Sequence, residues 1–209
     1  MPQTIATPRT LRTDIEGYFG LSYYQAVQAI VEDWRALAEI PAERLADPAD
    51  TAAVTRLLHA EARLLDAERL PEWLGLFTPD CAYWIPADTA ISTPWTAVSW
   101  EFNDRRRLEE RVERLGTGKA YSQSPPTRSA HLYSNIEVFR GADWSGATEN
   151  TLHVLCTFLI QTNFAGHPST RAGWNGYIVR KEGPSWRIVL KRISLYDADL
   201  AQDNNSFTL

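Results

Sequence analysis

Apolar positions recur with the helical period through the first half of the chain and with a period of two from Leu132 onward. Residues 1 to about 20 read as a loose arm. In SYYQAVQAIVEDWRALAEI, Val27, Ile30, Val31, Trp34 and Leu37 line one helical face. Ser22 and Gln25 have the spacing of a capping box, and the helix ends before Pro41. A second helix is predicted over DTAAVTRLLHAEARLLDAERL, capped by Asp50 or Thr51, with Val54, Leu57, Leu58, Ala62 and Leu65 as its inward stripe. Glu61 falls inside that stripe, where a carboxylate needs a partner, expected to be backbone or a neighbouring arginine in preference to a role as a catalytic acid. A short helix starts at Pro71, and CAYWIP follows as a strand. A third long helix opens near Asn103 or Asp104, with Leu108, Val112 and Leu115 as a narrow seam and Gly116 as its stop. On its polar side Arg106 and Glu110, and Glu110 and Arg114, are spaced for ion pairs.

Beyond Leu132 the alternation in HLYSNIEVF sends Leu132, Ser134, Ile136 and Val138 to one face. His131, Tyr133, Asn135, Glu137 and Phe139 go to the other. TLHVLCTFLIQTNF is partly apolar on both faces, which predicts a central strand. RAGWNGYIVRK and SWRIVLKRISL flank EGP as a hairpin. Helices followed by strands give the α+β class, an antiparallel meander with the helices on one sheet face.

Composition matters mainly through what it excludes. At 209 residues the chain holds one domain with a full core. Its formal charge of -5, with 21 Lys and Arg scattered among 26 acidic residues, leaves no basic stripe for nucleic acid. The first twenty residues contain no apolar core of a signal peptide, and no window approaches the roughly 18 apolar residues of a membrane span, so a cytoplasmic protein is expected. Cys81 and Cys156 lie too far apart for a CxxC site and are expected to pack as small apolar residues.

Catalytic patterns are as sparse. A Rieske cluster takes two cysteines and two histidines in close pairs, which this chain does not have. His59, His131, His153 and His167 show none of the short spacings of metal ligands, and no GxGxxG, GxxxxGK[ST] or GxSxG is present. An acid/base pocket would have to come from Asp104, His131, Tyr83 or Asp80 converging inside a sheet-and-helix cone. The other reading of His131 is a ring that bonds a strand neighbour or carboxylate and fixes the turn after Pro125 and Pro126.

Three segments, EARLLDAERLPEWLGLFTPDCAYWIP, NDRRRLEERVERLGTGKAYSQSPPTRSAHLYSNIEV and WRIVLKRISLYDAD, together resemble the small (β) subunit of bacterial aromatic-ring-hydroxylating dioxygenases of the Rieske non-haem iron class. The likeness runs over about residues 54–200. It implies the NTF2-like cone, a curved antiparallel sheet packed on helices, for residues 51–209, with residues 1–50 as an N-terminal arm and extra helix. It also implies that this chain binds no cofactor. The Rieske 2Fe–2S cluster and mononuclear Fe(II) belong to the α subunit, fed from NAD(P)H through an electron-transfer component. The β subunits would form a trimeric base in an α3β3 hexamer, a non-catalytic support for dihydroxylation of an aromatic compound. On that resemblance Trp84, Asp104, Arg105, Arg106, Arg107, Arg128, His131 and Asn135 are structural or interface candidates, and Trp34, Trp95, Trp100 and Trp144 are further candidate contacts. The competing reading is a stand-alone isomerase or dehydratase using the same cone. The first 50 residues are longer than the common pattern, STRAGWNGYIVRK is poorer in arginine than the expected hairpin, and the aromatic substrate is left open.

Overall fold

Four strands, β3 (Arg128–Phe139), β4 (Thr151–Phe164), β5 (His167–Glu182) and β6 (Ser185–Leu195), form the expected antiparallel meander. β1 (Phe77–Pro86) and β2 (Ser99–Asp104) complete a six-stranded sheet in the order β2-β1-β6-β5-β4-β3. The computed structural model describes residues 19–118, 120–141 and 150–200. β1 runs parallel to β6, so the sheet is mixed rather than wholly antiparallel. β2 escapes sequence reading because it is a short edge strand whose positions do not alternate cleanly between buried and exposed.

The helices α1 (Leu21–Ala36), α2 (Pro48–Asp66), α3 (Leu70–Leu74) and α4 (Arg105–Gly116) start where local chemistry satisfies their free amides. Asp47, not Asp50 or Thr51, caps α2 by accepting from the amides of Ala49 and Asp50 at 2.9 and 3.0 Å. Pro48 then occupies the first helical position, where its missing N–H costs nothing. The capping box of Ser22 and Gln25 does not form. Gly20 is the cap residue, so Ser22 is already helical, and Phe19 stacks on Tyr23 at 3.9 Å to pin the entry.

Both sheet faces are covered, which overturns the expectation of one. Val54, Leu57, Leu58 and Leu65 of α2, with Trp73 and Leu74 of α3 and Leu108 of α4, pack against the inward face. α1 lies on the opposite face, its Val27, Ile30, Val31 and Trp34 meeting Ala82, Trp84, Ile178 and Leu190. Strand β1 therefore divides its side chains, Cys81, Tyr83 and Ile85 to the first core and Ala82 and Trp84 to the second. Gly176 makes the α1 approach possible, since a Cβ there would stand 2.3 Å from the Trp34 ring.

A bulge in β3 breaks the predicted alternation. Ser134 pairs with Thr157 and Glu137 with Leu155, so three steps on β3 match two on β4, and Asn135 adopts φ 51° at the extra position. Before the bulge His131 and Tyr133 point inward and Leu132 is exposed; after it Ile136 and Val138 face the inner core. Phe139 is buried on the α1 side.

Candidate functional site

The inward face of the sheet holds a polar cluster centred on Glu61. Its carboxylate, fully buried on α2, pairs with Lys191 Nζ of β6 at 3.0 Å. Tyr177 Oη donates to it at 2.9 Å, Tyr133 Oη at 3.3 Å and Trp73 Nε1 at 3.4 Å. Glu61 thus takes a lysine, two phenols and an indole, not backbone or arginine. Lys191 also sits between the rings of Tyr83, Tyr133 and Tyr177, each centroid within 6 Å. Burial raises the Tyr133 and Tyr177 hydroxyls well above the usual phenol range, so both stay neutral donors. Every oxygen of the carboxylate is engaged, the condition under which a buried ion pair specifies one packing of a core.

Beside this cluster His131 is held by Asp66, the last residue of α2. Asp66 accepts from His131 Nδ1 at 2.6 Å, from the His131 amide at 3.1 Å and from Ser129 Oγ at 3.0 Å. Burial lowers the pKa of the imidazole and outweighs the opposing pull of Asp66, leaving a neutral ring that donates from Nδ1. The contact ties the start of β3 to the end of α2. This is the carboxylate partnership weighed for His131, supplied by a residue that sequence reading did not single out.

The four proposed acid/base groups do not converge. Asp104 caps α4, accepting from the Arg107 amide at 2.8 Å. Asp80 pairs with Arg180 at 2.8 and 2.9 Å. Tyr83 faces the Lys191 cluster, and His131 serves Asp66. A pocket of about 310 Å³ lies between α2, α4 and the segment before β3, lined by Leu65, Leu70, Val112 and Leu115 among others. Neither Glu61, Lys191 nor His131 lines it.

The remaining candidates divide between fold and surface. Arg105 donates to the carbonyls of Leu74 and Phe77 at 3.0 and 3.2 Å and pairs with Glu109, stapling α4 to the end of α3 and the start of β1. Arg106 takes Glu110 on the solvent face, as the spacing predicts, and Arg105 takes Glu109; the second expected pair, Glu110 with Arg114, does not form among the described residues. Arg107 donates to Phe102 O at 3.1 Å, and Arg128 is exposed at the start of β3. Asn135 donates to Thr157 Oγ1 across the bulge. Trp34 and Trp84 are buried within the chain, which removes them as direct surface contacts; Trp84 donates to Ser99 Oγ at 2.8 Å. Trp95 and Trp100 are about half exposed, and Trp144 lies outside the described residues.

Two neighbouring cations in β6 belong to no motif picked out in the sequence. Lys191 points inward to Glu61, whereas Arg192 points to the other face, its guanidinium between the Trp84 and Trp174 rings at 5.0 and 4.7 Å. Arg192 donates to Ile91 O at 2.7 Å and to Ser194 Oγ, and burial lowers its pKa to about 9. The signal was two consecutive charges within the apolar run WRIVLKRISL, one for each covered face, each demanding a buried partner.

Among the described residues no three His, Cys, Asp or Glu side chains cluster as metal ligands. Nor is any described helix long and apolar enough to cross a membrane.

Comparison with known proteins matches this architecture. The family model described as ring hydroxylating beta subunit matches residues 60–202, well over half of the chain. The small oxygenase component of the p-cumate 2,3-dioxygenase system of Pseudomonas putida is 34% identical over 144 residues, 68% of this chain and 77% of that protein. The β subunit of benzoate 1,2-dioxygenase from Acinetobacter baylyi is 37% identical over 102 residues, 46% of this chain and 60% of its own length. Among solved structures, a chain of naphthalene 1,2-dioxygenase with indole bound superposes with a TM-score of 0.67 at 18% identity, over 86% of this chain and 98% of that one. The cone of helices and curved mixed sheet is thus the NTF2-like fold of dioxygenase small subunits. By the family match over residues 60–202, this chain belongs to the β subunits of the ring-hydroxylating dioxygenases.

Proposed function

We propose that the chain is the structural β subunit of a multicomponent Rieske dioxygenase, supporting an α subunit that dihydroxylates an aromatic compound. The observation that carries this reading is the family match over a cone whose interior acid and base are spent on each other, Glu61 on Lys191 and Asp66 on His131. An NTF2-like isomerase or dehydratase needs an acid and a base facing a substrate-sized space. Here the candidates for that work cap a helix, pair with arginine or brace a strand. The cone is a rigid support.

In this reading the Rieske 2Fe–2S cluster and the mononuclear Fe(II) are held by the α subunit, and an electron-transfer component supplies it. The assembly is an α3β3 hexamer on a β trimer, in the cytoplasm. Its substrate class is an aromatic carboxylate, since the relatives named above are the p-cumate and benzoate enzymes and both compounds are arene carboxylic acids. Co-expression with candidate α subunits tests it. A tagged β chain should retain an iron-bearing partner through gel filtration; a chain that stays alone with every α subunit would refute the assignment.

A further inference from the structure

The pocket of about 310 Å³ lies where the end of α2, the start of α3, the end of α4 and the segment leading into β3 meet. Its walls are mostly hydrocarbon, from Leu65, Leu70, Pro71, Val112, Leu115 and Pro126. Four polar side chains join them, Glu68, Gln123, Thr127 and Ser129, and no described lining residue is a cation. Sites for small molecules begin at about 300 Å³, and a dry apolar cavity of roughly half that volume already admits benzene. A molecule of one or two rings fits.

The polar groups on the wall are not equivalent. Ser129 is committed to Asp66, donating at 3.0 Å, as is His131 two positions on. Gln123 donates to the carbonyl of Ser122 at 3.0 Å, and Glu68 is exposed at the rim. Thr127, two positions before Ser129, is only 7% exposed, and its Oγ1 has no hydrogen-bond partner among the described residues. A buried hydroxyl without a partner is costly, and folded chains rarely keep one. Rotation about χ1 trades the places of a threonine's hydroxyl and methyl at little cost, so this group is free to meet a partner that enters the pocket.

Charge narrows the choice of ligand. A carboxylate would lose its hydration with no cation to replace it, and Glu68 would repel it. An arene carboxylate, the class proposed for the α subunit, is therefore the wrong ligand here. A pure hydrocarbon would fill the walls and leave Thr127 unpaired. A neutral ring with one hydroxyl satisfies both. Because neither Glu61, Lys191 nor His131 lines the pocket, such a molecule is held without being converted.

We infer that the pocket where α2, α3, α4 and β3 meet binds an uncharged phenol or alcohol of one or two rings, with its hydroxyl on Thr127 Oγ1. This site goes beyond the proposed assembly and is independent of it, because the isolated full-length chain should show it.

Calorimetric titration of that chain at pH 7 with 2-naphthol, naphthalene and 2-naphthoate, three probes of one shape, tests it. 2-Naphthol should bind saturably, about one per chain, and at least about tenfold more tightly than 2-naphthoate. Thr127→Val keeps the shape and removes the hydroxyl. It should weaken 2-naphthol about three- to tenfold, leave naphthalene unchanged and unfold at no lower temperature than wild type. Leu115→Trp should fill the space and abolish binding of both neutral probes, with near-ultraviolet circular dichroism unchanged. Absence of saturation by about 1 mM 2-naphthol would overturn the inference, as would 2-naphthoate binding equally well or binding that survives Leu115→Trp. A Thr127→Val chain that unfolds at lower temperature would show that the hydroxyl already has a partner within the chain. Undiminished affinity of that variant for 2-naphthol would show that the hydroxyl is unused, and either result refutes the assignment. If Leu115→Trp does not fold, the comparison of 2-naphthol with naphthalene in Thr127→Val decides alone.

Discussion

Lys191 and Glu61 are both fully buried, and neither has water to fall back on. Removing one charge strands the other, so Lys191→Met is expected to cost about 3–5 kcal/mol in urea unfolding. A loss below about 1 kcal/mol would show that the pair is not closed as described. The histidines add a dependence on acid. Burial pushes His153 down to about 4, and its Nδ1 accepts from Trp34 Nε1 at 3.0 Å, a bond that needs the neutral ring. Below pH 6.5 the unfolded chain takes up a proton that folded His153 refuses. Its contribution is therefore complete above about pH 6.5 and is lost as the pH falls toward 4, on the order of 3 kcal/mol. His131 acts in the same direction. The difference in unfolding free energy between wild type and His153→Gln should shrink between pH 7.5 and 4.5; a constant difference would contradict this.

At the scale of elements, the attachment of α1 is the most specific prediction. Gly176→Ala places a methyl group in the Trp34 ring and should loosen α1 while leaving the meander intact, at about 1–3 kcal/mol. Amide exchange should rise across Leu21–Ala36 and stay slow in β4 to β6; uniform protection would refute the close approach. The same elements show what sequence could and could not reveal. The stripe of α2 and the β5–β6 hairpin were legible because the apolar period and the turn residues carry them directly. The phase of β3 was not, because one asparagine in a left-handed conformation inverts which residues face inward and nothing in strict alternation announces it. The side of the sheet that α1 covers was equally hidden. A helical stripe says that a face is buried, not against what. His131 could be recognised as needing a partner, but Asp66 lies 65 positions away, and Lys191 meets Glu61 across 130.

As a whole molecule, this chain is one part of a division of labour. Its cone is closed by internal pairs, its described residues present no ligand cluster, and its relatives are small subunits of dioxygenase systems. What it contributes to such a system is structural. The most direct test is iron analysis of the chain purified alone and purified with its α subunit. The isolated chain should hold negligible iron and oxidise no arene, with iron and activity appearing only in the complex. Stoichiometric iron bound to the isolated chain, or an arene oxidised without a partner, would contradict it.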